Sequence, residues 1–183
     1  MDHKPEQSRQ KEESKTQPED KKIEQALSEA QELFISQPVK EEIISAVEDK
    51  LKEYADDIRV KIKLAEYYLA AGKLNESEKL LKEAIDLKNI DYSGWAYRIL
   101  GEVYIKKGEL ELAEKYFLLS LENNESRNIE KMCILAALTE VYVKNRKIDE
   151  ADKTLKQVEE LSDKSERALS ILERARETLK QKN

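Results

Sequence analysis

The chain contains 183 residues, of which 39% are charged and 39% hydrophobic, and its net charge is −6 at pH 7. Excess negative charge argues against binding to nucleic acid or anionic membranes, and the absence of any run of about 18 apolar residues argues against membrane insertion. The residues after Met1 are charged, and the single cysteine, Cys133, cannot form an internal disulfide, so we predict a cytoplasmic protein.

The sequence offers little chemistry for an enzyme. Its only histidine is His3, and it contains neither a glycine-rich phosphate loop nor a cysteine–histidine cluster with metal-ligand spacing. Carboxylate pairs are frequent, but a chain with 39 acidic residues carries such pairs on solvated helix faces. We therefore expect no enzymatic activity, no catalytic residue, no cofactor and no metal site.

Residues 1–21 form the first predicted segment, a polar tail that contains no hydrophobic residue after Met1. Such a segment cannot bury enough apolar surface to offset the entropy lost on ordering, so it is predicted to be disordered. Two roles stay open, a solubilising tail, which is the simpler one, and a tether.

Residues 22–57 are predicted to form a pair of helices. The first covers residues 22–35, and Pro38 suits the first turn of the second. Each has an apolar stripe with helical spacing. The stripes contain Ile23, Ala26, Leu27, Ala30, Leu33 and Phe34 in the first helix and Ile43, Ile44, Val47, Leu51 and Tyr54 in the second. Three interpretations stay open: a cap, a degenerate repeat, or a mobile element whose first helix lies in a groove and must be displaced by a ligand.

One short phrase occurs three times between residues 58 and 161. Its copies are Ala65-Glu66-Tyr67-Tyr68, Gly101-Glu102-Val103-Tyr104 and Thr139-Glu140-Val141-Tyr142. A turn follows each copy, and a second apolar stripe follows each turn. A phrase that recurs with its surroundings predicts stacked helical hairpins, because one hairpin buries too little apolar surface to fold alone.

The segment resembles the tetratricopeptide repeat family. The second unit matches best, since Tyr97-x2-Leu100-Gly101-x2-Tyr104 is followed by Ala113-x3-Phe117. The resemblance implies an all-α superhelix with repeats at 58–91, 94–127 and 132–161, in which Gly94 precedes a helix. The copies are 36 and 38 residues apart, and the excess over the usual 34 predicts a lengthened second helix or loop after each of the first two units.

Residues 162–183 are predicted to form a C-terminal capping helix, which runs from about residue 165 to 181. Its apolar seam contains Ala168, Leu172, Ala175 and Leu179, and the remaining faces are charged. A terminal repeat needs such a cap because its last hairpin otherwise exposes an apolar face.

The resemblance also implies which side chains line a concave groove for a partner, because the first helices form that groove in this family. The implied groove residues are Arg59, Ile62, Glu66, Leu69, Trp95, Arg98, Glu102, Ile105, Lys106, Cys133, Ala136, Glu140, Val143 and Lys144. One subclass of the family holds a peptide carboxylate with lysines, an arginine and asparagines. Here Glu66, Glu102 and Glu140 replace the asparagines and would repel a carboxylate, so this clamp is not predicted.

Two hypotheses explain the three glutamates. In the first, they form one wall of a groove for a peptide with basic and apolar residues, anchored on Trp95 and the apolar groove positions. In the second, each glutamate pairs with a lysine or arginine of its own or the next helix. Trp95 itself is either an exposed anchor or a packing residue between repeats.

The predicted function is that of a non-catalytic adaptor that binds another protein or peptide. Two alternatives stay open: a self-associating scaffold, which would be a homo-oligomer, and a dedicated chaperone of a secretion or pilus system.

Overall fold

The computed structural model describes residues 18–35, 41–123, 128–163 and 165–180. Within them the chain is helical, with no strand, which confirms the all-α prediction. The helices are α1 Pro18–Ile35, α2 Glu41–Leu51, α3 Ile58–Ala70, α4 Leu74–Asp86, α5 Ile90–Lys107, α6 Leu110–Glu122, α7 Asn128–Lys144, α8 Ile148–Leu161 and α9 Glu166–Lys180. A short 3₁₀ turn, Lys52–Tyr54, follows α2.

Three hairpins, α3–α4, α5–α6 and α7–α8, share one turn geometry. Gly72, Gly108 and Arg146 have φ values of 77°, 79° and 58°, so each turn contains one residue in the left-handed region. In each turn the next amide donates a hydrogen bond to the carbonyl of the phrase tyrosine, as Lys73 does to Tyr68 at 2.8 Å. This is the Schellman arrangement, in which glycine is favoured because it has no Cβ. Arg146 adopts the same conformation without that advantage.

Small residues allow the two helices of each hairpin to cross closely. A Cβ atom on Gly101 would lie 2.7–2.8 Å from the ring of Phe117, which is fully buried. In the first hairpin the buried Ser77 hydroxyl donates a hydrogen bond to the Ala65 carbonyl at 2.7 Å. The position predicted from the repeat as small is therefore set by helix contact.

The first helices of the second and third hairpins are longer than the second helices. The second helices α4 and α6 both contain 13 residues, whereas α5 contains 18 and α7 contains 17. Of the predicted lengthened second helix or loop, the helix is therefore wrong, and the loop stays a prediction. Gly94 also lies inside α5 rather than before it, because Asn89 caps that helix by accepting a hydrogen bond from the Asp91 amide at 3.0 Å.

The N-terminal pair α1–α2 stacks on the first hairpin. Helices α1 and α2 contact each other, and both contact α3. In the same way, α3 and α4 contact each other, and both contact α5. Its apolar cluster extends to α3, where the rings of Phe34 and Tyr67 lie 4.5 Å apart. The first helix begins at Pro18, four residues before the predicted start at residue 22. The disorder predicted for residues 1–17 and the placement of Pro38 lie outside the described residues.

The C-terminal helix α9 closes the other end of the stack. Ala168, Leu172 and Ala175 of the predicted seam are buried, Leu179 is half-buried, and Ile171 joins them. Helix α9 packs mainly against α7 and less against α8. The main core therefore runs without interruption from α3 to α9.

Candidate partner-binding surface

Glu66 is the centre of a polar network between α3 and α5. Its Oε1 atom accepts hydrogen bonds from Trp95 Nε1 and from Arg98 Nη2, both at 3.0 Å. Its Oε2 atom pairs with Lys63 Nζ at 3.1 Å. The carboxylate is thus engaged by three donors, and Trp95 is held half-buried against the core instead of projecting as an isolated anchor.

The other two phrase glutamates pair within their own helices. Glu102 Oε1 lies 2.5 Å from Arg98 Nη1, and Glu140 Oε1 lies 2.7 Å from Lys144 Nζ. The hypothesis that each glutamate pairs with a cation of its own or the next helix is therefore confirmed. Pairing leaves Glu102 and Glu140 partly accessible, because 39% and 41% of their side-chain surface remains exposed.

Arg59 is occupied by carboxylates at the N-terminal end of α3. Its guanidinium donates to both oxygens of Asp57, at 3.0 and 2.8 Å, and to Asp20 of α1 at 3.0 Å. Burial disfavours the charged form of Asp57, but the hydrogen bonds from Arg59 outweigh burial and lower the pKa of the carboxyl. Arg59 therefore fastens α3 to α1 and is not a freely exposed groove cation.

Three predicted groove residues are part of the core. Ile62, Leu69 and Ala136 are 0%, 7% and 5% exposed and belong to the main apolar cluster. The prediction that they line an accessible groove is wrong, because the neighbouring helices pack over these positions. Whether these positions are buried depends on the distance between the first helices of neighbouring repeats. The sequence of a single repeat does not give this distance.

The second unit is more open. Arg98 and Ile105, which hold the positions of Ile62 and Leu69, keep part of their surface exposed, and Lys106 is fully exposed. Helix α5 lies less closely against α7 than α3 lies against α5. On α7, Val143 is half-buried.

Several of the predicted groove positions on α5 and α7 are therefore at least partly accessible, and together they define a candidate surface. We call this surface the α5–α7 face and define it by Trp95, Arg98, Glu102, Ile105, Lys106, Cys133, Glu140, Val143 and Lys144. Its exposed groups are amphipathic: aromatic and aliphatic side chains alternate with carboxylates and cations.

A second set of contacts joins the hairpins through the phrase tyrosines. Tyr104 of α5 donates a hydrogen bond to Glu78 of α4 at 2.7 Å, and Lys107 pairs with the same carboxylate. Tyr68 of α3 donates to Glu48 of α2 at 2.6 Å. The same type of tyrosine–glutamate hydrogen bond thus joins the N-terminal pair to the first hairpin and the first hairpin to the second.

The third junction has the same chemistry. Lys147 pairs with Glu114 of α6 at 2.6 Å and lies over the ring of Tyr142, 5.8 Å from its centroid. Burial, and then the charge of Glu114, raises the pKa of Tyr142. These glutamates were not predicted, although a signal exists: Glu78 and Glu114 directly follow the repeated small residues Ser77 and Ala113.

The ionisation of the central junction shows that it is structural. Burial disfavours the charged form of Glu78, but hydrogen bonds from Lys107, Lys82 and Tyr104 outweigh burial and lower its pKa to about 2. Burial and the bond to Glu78 raise the pKa of Tyr104 to about 12. Near neutral pH the acid is charged and the phenol neutral, so neither is poised to transfer a proton.

The described part of the chain offers neither a metal cluster nor a membrane span. It contains no group of three or more histidine, cysteine, aspartate or glutamate side chains placed to hold a metal ion. None of its helices is both long and apolar enough to cross a membrane.

The comparisons with known proteins agree with this architecture. The sequence model of the tetratricopeptide repeat matches residues 96–127, which include most of α5 and all of α6. No curated protein sequence matches the chain. Among solved structures, a Podosopora anserina protein with nearly identical TPR-like repeats, named after the kinesin light chain, is 16% identical, covers 87% of each chain and has a TM-score of 0.67.

A second solved structure, MamA, is 19% identical, covers 76% of this chain and 88% of its own, and has a TM-score of 0.50. At these identities the likeness concerns the fold, while the matched repeat concerns the sequence. One unit of the chain thus matches the tetratricopeptide repeat in sequence, and the chain as a whole is similar in fold to a protein with TPR-like repeats.

Proposed function

We propose that the chain is a non-catalytic adaptor that binds a partner protein or peptide on the α5–α7 face. The observation that carries the proposal is unequal burial at equivalent positions. Ile62 is enclosed in the core, whereas Arg98, at the same position of the next unit, is polar and partly exposed. Arg98 is held there by Glu66 and Glu102, and it leaves the surface of α5 polar and partly open, which supports contact with a partner.

The side chains of the face indicate the chemistry of the partner. Ile105 and Val143 offer apolar contacts, and Glu102 and Glu140 offer partly exposed carboxylates. A segment in which basic residues alternate with apolar ones complements both features. A chain terminus with a free carboxylate does not, because it would approach two glutamates.

Charge reversal on the face tests the proposal. Glu102→Lys combined with Glu140→Lys places cations where a basic partner approaches, and both residues are exposed enough to change without loss of the fold. Glu150→Lys combined with Glu160→Lys on α8 is the matched control, since it makes the same two charge reversals on another exposed surface. A lysate protein bound by the chain should be lost by the double variant and retained by the control, as measured by affinity capture and mass spectrometry.

A peptide taken from the captured protein gives the quantitative version. Its affinity, measured by calorimetry, should fall by at least about tenfold in the double variant and stay within about twofold in the control. Trp95 is the only tryptophan, so its emission should respond to the peptide. Equal affinity for all three proteins would refute the proposed face.

A further inference from the structure

The outer surface of the second hairpin differs from those of the first and third. Counted from the repeated small residue of each second helix, the fifth and sixth residues are Lys82-Glu83 in α4 and Lys156-Gln157 in α8. In α6 they are Leu118-Leu119. The fold does not need leucine here, since the other two units use charged and polar residues at the same places.

The two leucines are accessible. Leu118 is 41% exposed and Leu119 is half-buried, in a shallow cleft of about 400 Å³ on the side of α6. Lys115 precedes Leu118 by three residues and Glu122 follows Leu119 by three. These intervals place both charges on the face of the helix that carries Leu118.

We propose that this face binds a second copy of the chain, in a two-fold dimer in which α6 pairs antiparallel with its own copy. A two-fold axis between the leucines brings Lys115 opposite Glu122 of the partner subunit, and Glu122 opposite Lys115 of the partner subunit. The surface is thus complementary to itself: one apolar pair at the axis, with one opposite-charge pair on each side. This goes beyond the adaptor proposal, because it uses a different helix and a different binding partner.

The two charges are available for this pairing. Neither Lys115 nor Glu122 forms an ion pair with another side chain in the described residues, and both are exposed. The remaining acids of the cleft are engaged within the chain, Glu114 by Lys147 at 2.6 Å and Glu111 by Asn145 at 3.5 Å. Lys115 Nζ lies over the ring of Tyr116, 5.7 Å from its centroid. Among the described residues, Lys115 and Glu122 are therefore the two charges of the cleft without a hydrogen bond or ion pair to another side chain, and the antiparallel arrangement would neutralise both.

The size of the contact sets its strength. A single pair of helices buries less than the roughly 1,600 Å² of a standard stable interface, so the dimer should be weak and reversible. Its α5–α7 faces would both stay open, because α6 is a second helix and the proposed binding face lies on first helices. The dimer would therefore present two partner-binding faces and bind a repetitive or clustered partner with avidity.

Sedimentation equilibrium of the purified full-length chain tests the dimer, at protein concentrations from about 10 µM to about 1 mM. The average mass should rise from 21.3 kDa toward twice that value. Leu118→Lys, which introduces the residue type that the other two units carry, should stay monomeric throughout. Lys156→Glu, at the equivalent place in α8, is the control and should behave as the wild type.

Charge exchange tests the antiparallel register. Lys115→Glu alone and Glu122→Lys alone should each weaken the dimer about tenfold or more, because like charges then meet twice across the axis. An equimolar mixture of the two variants should recover the wild-type association, and so should the double variant. A wild type that stays monomeric at about 1 mM, or single variants that associate like the wild type, or a mixture that fails to recover, would overturn the proposal. Far-UV circular dichroism checks that each variant is folded.

Discussion

Replacing Gly101 by alanine tests whether close helix crossing determines the repeated small residue. The new Cβ would lie 2.7 Å from the nearest ring atom of Phe117, whereas carbon atoms in favourable contact are about 3.5–4.0 Å apart. Phe117 is fully buried, so its ring can move away only by displacing its neighbours. Overpacking of this kind costs about 1–3 kcal/mol.

Helix propensity works in the opposite direction. Gly101 lies inside α5, where alanine is favoured over glycine by about 1 kcal/mol. We expect the clash to exceed this gain, so Gly101→Ala should lower the free energy of unfolding by about 1 kcal/mol. Without a clash, the same change would raise it by about the same amount. The sign of the effect therefore distinguishes the two explanations.

The first unit supplies the compensating change, because Ala65 and Leu81 hold the equivalent positions there and both are fully buried. Phe117→Leu alone should cost about 1–2 kcal/mol through the space that it leaves. Combined with Gly101→Ala, it should cost at least about 1 kcal/mol less than the sum of the two single changes. Urea unfolding followed by circular dichroism measures all four proteins. A stabilising Gly101→Ala, or additive effects of the two changes, would refute the crossing argument.

Three further predictions concern individual side chains. Glu78→Gln should destabilise the fold near neutral pH, because the folded pKa of Glu78 is about 2, below the ordinary carboxyl value of about 4.3. The difference in stability from the wild type should shrink as the pH falls from about 4.3 to about 2. Thermal unfolding at several pH values measures this difference. Arg146→Gly should raise the free energy of unfolding by about 1 kcal/mol because φ at this residue is 58°, whereas Asn145→Gly, outside the left-handed region, should not. Ile62→Lys should lower the free energy of unfolding by more than about 3 kcal/mol, since it buries an unpaired charge. Ile105→Lys on the open face should lower it by less than about 1.5 kcal/mol. Equal losses would contradict the difference in burial on which the α5–α7 face depends.

The features predicted correctly from the sequence are those set within one hairpin. The turn after each phrase needs one left-handed residue, and the crossing of two adjacent helices needs a small one. Both requirements appear at fixed distances from Tyr68, Tyr104 and Tyr142. Arg146 shows that the turn tolerates another residue, since the surrounding hydrogen bonds are the same in all three hairpins.

The features that were not predicted depend on contacts between hairpins. Leu69 and Ile105 hold the same place in their helices, but only Leu69 is buried. The start of α5 also differs from the prediction, for a related reason. Asn89 caps α5, and its position depends on where the preceding hairpin ends. The start of α5 therefore depends on more than its own apolar periodicity.

The phrase tyrosines show why the repeat is conspicuous and why it does not specify a partner. Tyr104 supplies the carbonyl that closes the turn of its own hairpin, its hydroxyl binds Glu78 of the preceding hairpin, and its ring packs on Tyr116 with centroids 5.3 Å apart. One residue thus serves a local turn, an inter-repeat bond and the core. Its recurrence follows from the fold alone.

We therefore look for function at positions where the polarity of one unit differs from that of the other two and burial does not explain the difference. The second unit does so twice. On its first helix it has Arg98, where the other units bury Ile62 and Ala136; on its second helix it exposes Leu118, where they have lysine. Arg98 is paired with Glu66 and Glu102 and partly exposed, so it keeps the surface of α5 polar where the other units close it. The exposed Leu118 offers an apolar contact that a second molecule can cover. The two departures lie on different helices of one hairpin, which is why we assign a partner protein to one and a second copy of the chain to the other.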